Sequence, residues 1–228
     1  MRFIKASRSL LFALISGLCA QGALAESALP AISQEALASQ LQVGDLVFIR
    51  VSALPFREVA ATTGSWTNHV GIVVATDGGE PVVAESTFPL SKRGGLARFI
   101  ARSEDGRVEI SRLNSPLSAE QQNALVAAAE KRIGVFYDTG FDLHSRRQFC
   151  SRYVHEVVQE ATGVQVGQVQ TFGNMLAQNP DTKLNFWRLW YFGRIPWERE
   201  TVTPASVLKS AQLHAVFDGY VTAATPAA

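Results

Sequence analysis

The 228-residue chain is poor in several things, and each shortage removes a class of explanation. It has two cysteines, Cys19 and Cys150. Once an N-terminal leader is removed only Cys150 is left, and one thiol cannot staple a domain internally. No sign of charge dominates: 21 Lys and Arg stand against 20 Asp and Glu, with no basic stripe or polybasic tail. That argues against nucleic acid as a partner. There is no His-x-x-x-His pair, no second cysteine to complete a metal set and no phosphate-cradling glycine loop, so no metal or cofactor is expected. The longest early apolar run, Leu10 to Leu18, is too short to cross a bilayer.

That run does have the layout of an export leader. Arg2 and Lys5 precede it, and Ala23-Leu24-Ala25 supplies small residues at a cleavage site. Cys19 raises the lipoprotein alternative, but Leu18 occupies the position where a small residue would stand. The expectation is a signal peptide over 1–25, cleavage after Ala25, and a periplasmic or secreted protein with no stable membrane span. About 200 residues then remain, enough for one well-cored domain over 26–228.

In an oxidising compartment a lone thiol is conspicuous. Cys150, Val154, Val157 and Val158 fall at i, i+4, i+7 and i+8, one face of a helix, and the polar run His144 to Gln148 precedes it. Cys150 then sits in the first turn, where unpaired N–H groups and the helix dipole favour a thiolate. The bland alternative is a small buried hydrophobe.

A nucleophilic thiol needs a base, a group to orient the base, and donors for an oxyanion. Four histidines are available. His144 lies in a polar loop and is either a base or solvated; His155 reads as surface and His214 as structural. His69 opens an apolar strand, Val70 to Val74, with His69, Gly71 and Val73 on one face. Asp77-Gly78-Gly79 is a hairpin turn, and the return strand Pro81 to Ser86 carries Val83 and Glu85 on one face. The hairpin brings Glu85 beside His69, where a carboxylate would fix the imidazole tautomer. Cys150, His69 and Glu85 therefore form a candidate triad, weighed against a strand histidine that is merely structural.

The remaining elements read as follows. A helix covers Ala31 to Leu41 with Ser33 as N-cap, and a strand Leu46 to Val51 follows a turn at Asp45. Helices are expected over Pro55 to Thr63, over Gly94 to Ser103 with an exposed basic side (Arg93, Arg98, Arg102), and over Ser118 to Ile133. A strand covers Arg107 to Leu113. Gly163 ends the cysteine helix, and Phe172 to Gln178 forms another. Arg146, Arg147 and Arg152 read as a substrate-anion site or a solvated loop. The aromatic segment Phe186 to Trp197 reads as core with one or two rings reaching a cleft.

Taken in order, Gly44-Asp45-Leu46-Val47-Phe48, Thr67-Asn68-His69-Val70-Gly71-Ile72-Val73, Val83-Ala84-Glu85-Ser86, Tyr137-Asp138 and Phe149-Cys150-Ser151 resemble the permuted NlpC-type, papain-like cysteine hydrolases, in particular their YiiX/YebB-like branch. In ordinary NlpC-type enzymes the cysteine helix precedes the histidine strand; here it follows. The resemblance spans about Leu41 to Leu208. It implies an α+β papain-like fold with a small antiparallel sheet packed on the cysteine helix, and by motif position Cys150 as nucleophile, His69 as base and Glu85 as orienting residue. The residue before the cysteine is often tyrosine in that family, and here it is Phe149; Tyr137 is either a replacement hydroxyl or a packing residue. The implied activity is hydrolysis of an amide bond, first in peptidoglycan peptides, with lipid amides or esters, or acyl transfer, as the alternative. A non-catalytic binding module on the same fold is the third possibility.

Overall fold

The computed structural model describes residues 29–222. The expected leader, its cleavage site and the last six residues lie outside them. Ala31–Ser33 forms β1 and Gln34–Ala38 the helix α1, so the expected helix from Ala31 is shorter. Ser33 caps it, its hydroxyl accepting from the Ala36 N–H. Then come β2 (Leu46–Val51), α2 (Leu54–Thr63), β3 (His69–Ala75), β4 (Val82–Glu85), β5 (Lys92–Gly95), α3 (Leu96–Ile100), β6 (Ser103–Leu113) and α4 (Ala119–Glu130). The cysteine helix, α5, runs Cys150–Thr162 and ends at Gly163, whose φ of 74° is a left-handed stop that favours glycine. After it lie β7 (Gln170–Thr171), α6 (Phe172–Gln178), α7 (Asn185–Trp190), β8 (Glu200–Thr201), α8 (Pro204–Leu208) and β9 (Leu213–Thr222).

Seven strands make one sheet in the order β1-β9-β6-β2-β3-β4-β5. It is antiparallel except for β1 against β9. The sheet has three strands more than the sequence pattern suggested, β1, β5 and β9: β1 and β5 lie in or beside segments read as helices, the one expected from Gly94 being only Leu96–Ile100, and β9 has weak alternation and is paired along its length with β6.

The two faces of β3 separate as its alternation requires. Val70, Ile72 and Val74 pack with Leu46, Phe48 and the α5 residues Val154, Val157 and Val158. Val73 packs on the other side with Val47, Ile49, Val83 and Phe99. Gly71 belongs to this second face. A Cβ there would stand 2.6 Å from Val83 and 2.8 Å from the Phe99 ring, so the residue must be small for Phe99 to lie against the strand. The cysteine helix is tied to its neighbours by polar bonds as well. Tyr153 donates to the Ala129 carbonyl at the end of α4, and Ser151 donates to the Val202 carbonyl, each buried.

Candidate active site

Cys150 is the first residue of α5, and Phe149 before it is extended. The loop leading in is held by its own bonds: Asp138 N–H donates to the Gln148 carbonyl, and Gln148 N–H to the Phe136 carbonyl. Asp138 in turn accepts from the Gly140 and Asp142 N–H groups. Thus the helix start is pinned before its first turn begins, and Cys150 is buried at 3 % exposure.

His69 is the first residue of β3 and is wholly buried. The preceding residues fix it there. Asn68 spends its amide on the end of β2, its Oδ1 accepting from Val51 N–H at 2.7 Å and its Nδ2 donating to Val51 O at 3.0 Å. Thr67 donates to the Ile49 carbonyl. The imidazole lies between Phe99, stacked with ring centroids 5.6 Å apart, and Phe56, edge-on at the same separation.

Glu85 ends β4, on the same face as Val83, and its Oε2 is 2.6 Å from His69 Nε2. Arg102 donates from one nitrogen to both Glu85 oxygens at 2.8 Å. Its guanidinium also lies 4.8 Å from the centre of the Phe99 ring that stacks on His69. The expectation of an exposed basic side for 94–103 therefore fails at Arg102: it folds inward because a buried carboxylate needs a counter-charge. Nothing in its local pattern separates it from Arg98, which is exposed.

His69 Nδ1 is buried and has no hydrogen-bond partner among the described residues. The Cys150 thiol is the neighbour whose charge most raises the pKa of that ring. Burial pulls the His69 pKa down, yet the Cys150 and Glu85 charges outweigh it and raise it to about 9. For Cys150 burial pushes upward, and His69 together with the backbone at Val70 and Ser151 brings the thiol below its ordinary value. Burial raises Glu85, and His69 and Arg102 reverse this to hold it below the usual carboxylate range. In all three, the neighbouring groups oppose burial and favour the charged form. Tyr137 adjoins them. Burial first, then the Cys150 charge, push its phenol well above the ordinary value, so it stays neutral.

The thiol opens on a narrow cleft whose walls are mostly apolar: Phe56, Tyr137, Phe141, Phe149, Phe172 and Trp187. Of the aromatic segment, Trp187 reaches it, its indole N–H held by Thr62 at 2.7 Å. Phe192 is 94 % exposed and takes no part. No arginine or lysine lines the cleft among the described residues. Arg146 and Arg147 are exposed. Arg152 binds Glu156 at 2.6 Å and donates to the carbonyls of Ser145 and Arg147, so it braces the loop.

The other histidines stand apart. His144 is exposed, paired with Glu200. His214 is also exposed, beside Asn114, so it does not fill the core. His155, expected at the surface, is 6 % exposed and its Nδ1 is 2.7 Å from the Val166 carbonyl. The segment after Gly163 folds back over that side of α5, which the helix periodicity alone does not reveal.

Residues 40–217 match the family described as the permuted papain-like amidase enzyme, YaeF/YiiX, C92 family. The chain belongs to this family. It is 31% identical over 185 residues to the uncharacterized protein YiiX of Escherichia coli (strain K12), covering 81% of this chain and 90% of that one. A crystal structure described as metalloprotein yiiX from Escherichia coli O157:H7 superposes with a TM-score of 0.71 at 28% identity, over 79% of this chain and 99% of that one. These likenesses establish a permuted papain-like fold and a cysteine amidase kind of protein. Among the described residues no group of three or more His, Cys, Asp or Glu could surround an ion, and Glu85 is already engaged by His69 and Arg102.

Proposed function

We propose that this protein is a thiol amidase that cleaves the amide of an apolar acyl group, with Cys150 as nucleophile, His69 as acid and base, and Glu85 as the residue that orients His69. The observation that carries this is the thiol, shifted toward thiolate beside the His69–Glu85 pair, at the wall of an apolar cleft. In the first half-reaction the thiolate attacks the amide carbonyl carbon and a C–S bond forms. The Cys150 N–H, free at the helix start, and the Tyr137 hydroxyl are the donors at hand for the oxyanion. His69 passes its Nδ1 proton to the amine nitrogen, the C–N bond breaks, and a thioester remains. Water then attacks the thioester as His69 takes its proton. The C–S bond breaks, the acid leaves, and the thiolate–imidazolium pair is restored.

An anionic peptidoglycan peptide would undergo the same steps, but its carboxylates would meet no arginine or lysine in the cleft, so it ranks second. Export by the leader over 1–25 belongs to the same proposal, and a mature N-terminus at Glu26 on sequencing of the expressed protein is its check.

The test of the chemistry is the pH dependence of Cys150 alkylation. Labelling should titrate well below the free-thiol value of about 8.5 and return toward it in His69→Ala. Equal labelling curves for the two proteins at the free-thiol value would overturn the reading. Hydrolysis of an octanoyl anilide, but not of a soluble anionic muropeptide, should accompany the low value.

A further inference from the structure

A second, larger concavity adjoins the apolar cleft and shares Thr63, Met175 and Thr203 with it. Cys150 lies on the cleft side of these shared residues and does not reach the second space. The order outward from the sulfur is therefore apolar cleft, shared wall, second groove. The groove is chemically unlike the cleft. Gln165, Gln168, Gln170, Gln178 and Gln212 line it, with Asn179 beside them, and Lys209 is the one ionisable side chain among its described lining residues. Gln170 stands on β7, which pairs with β8, and Thr201 of β8 lines the cleft, so one two-stranded ribbon contributes to both spaces. The Gln170 Oε1 is buried and has no hydrogen-bond partner among the described residues.

Side-chain amides donate and accept together and carry no charge. They satisfy carboxamides and hydroxyls well. A carboxylate there would find a single lysine as counter-charge, and an alkyl group would find few apolar partners among the exposed amides. We infer that the groove is a substrate subsite for an uncharged, amide- or hydroxyl-bearing group. The substrate is then bipartite: an apolar segment next to the scissile carbonyl lies in the cleft, and a neutral polar group follows it into the groove. A peptide with a neutral polar residue before an apolar one has this chemistry, and so does a polyhydroxylated acyl chain. The inference rests on the thiol-amidase reading for the position of the scissile bond, but the groove's ligand class can be measured without turnover.

The experiment compares four p-nitroanilides with one leaving amine: acetyl-glutaminyl-leucyl, gluconoyl-leucyl, butyryl-leucyl and acetyl-glutamyl-leucyl. The expected result is a kcat/KM at least about tenfold higher for the glutaminyl or gluconoyl compound than for the butyryl and glutamyl ones, with that ratio falling toward one in the double variant Gln168→Ala/Gln178→Ala. Which of the two neutral compounds leads distinguishes a peptide from a polyhydroxylated source. A ratio near one in the unaltered protein overturns the inference. In parallel, the side-chain amide signals of Cys150→Ala are followed by NMR during titration with acetyl-glutaminamide and with gluconamide. Saturable shifts at Gln170 or Gln178 support the subsite, and no shift with either compound overturns it. Should all four anilides resist hydrolysis while those shifts appear, the thiol-amidase reading fails and the groove assignment stands.

Discussion

His69 has two sides, and they are built differently. Around Nε2 stand Glu85, Arg102 and Phe99, each placed by the sheet or by the short helix α3 at its margin. Around the thiol side stand Phe56, Tyr137 and Cys150, carried by a helix, a loop and a helix start, with the cleft beyond. The first side is closed and electrostatically complete, whereas the second keeps a buried nitrogen unpaired for a thiol to meet. The difference teaches how a wholly buried histidine can have a pKa raised to about 9: against burial, the sulfur on the open side contributes most, and the carboxylate on the closed side adds to it.

The comparison is broken most completely from the open side. Cys150→Ala should lower amide turnover by at least about 10⁴-fold while thermal unfolding stays within a few degrees, since a small side chain replaces a small one. Calorimetry and a turnover assay on the same preparation check both halves. Next is pH. The ion pair requires Cys150 deprotonated and His69 protonated, so activity should rise through the lowered thiol pKa and fall through the raised imidazole value of about 9. Moving the alkaline limb down to the free-histidine range of about 6.5 would break the pairing.

On the closed side the effects shrink. Glu85→Gln should cost about 10²-fold in kcat, less than loss of the nucleophile, because orientation is lost while the thiol remains. Arg102→Ala removes a charge that keeps Glu85 ionised, so the Glu85 pKa should rise and the acid limb move to higher pH, with about a tenfold loss in kcat. Arg102→Lys should restore much of the limb's position, whereas a merely structural role would leave the pH profile unmoved. Smallest is Trp187→Phe, which gives up the indole bond to Thr62 and should cost about 1 kcal/mol of stability in denaturant unfolding.

The legibility of the molecule follows the same division. Strand alternation places His69, Val73 and Glu85 on a face, and helical periodicity places Cys150 with Val154, Val157 and Val158; both are local rules, and both describe the folded chain. Arg102 is not legible in that way, because its inward turn depends on a carboxylate 17 residues earlier rather than on its own neighbours. His155 fails for a related reason, as the chain after Gly163 covers a helix side whose sequence looks polar. The strand β9 escapes because an interior ladder supports a weak pattern. The aromatic segment is the hardest case: its density announces packing but not which ring lines a cleft, and Trp187 and Phe192, five residues apart, end at opposite extremes of burial.

The pairing of β1 with β9 bears on how the gene order of such proteins can be rearranged. Ala31 lies against Tyr220 and Ser33 against Thr222, so the first and last described strands run side by side at one margin of the sheet. Leu29 and Thr222 are then separated by about four strand residues, roughly 13 Å. A linker of a few residues would close the chain into a ring without disturbing a single pairing. Cutting that ring between Gly134 and Arg147 would yield a polypeptide that begins with the cysteine helix and reaches the histidine strand afterwards, the order of the unpermuted enzymes.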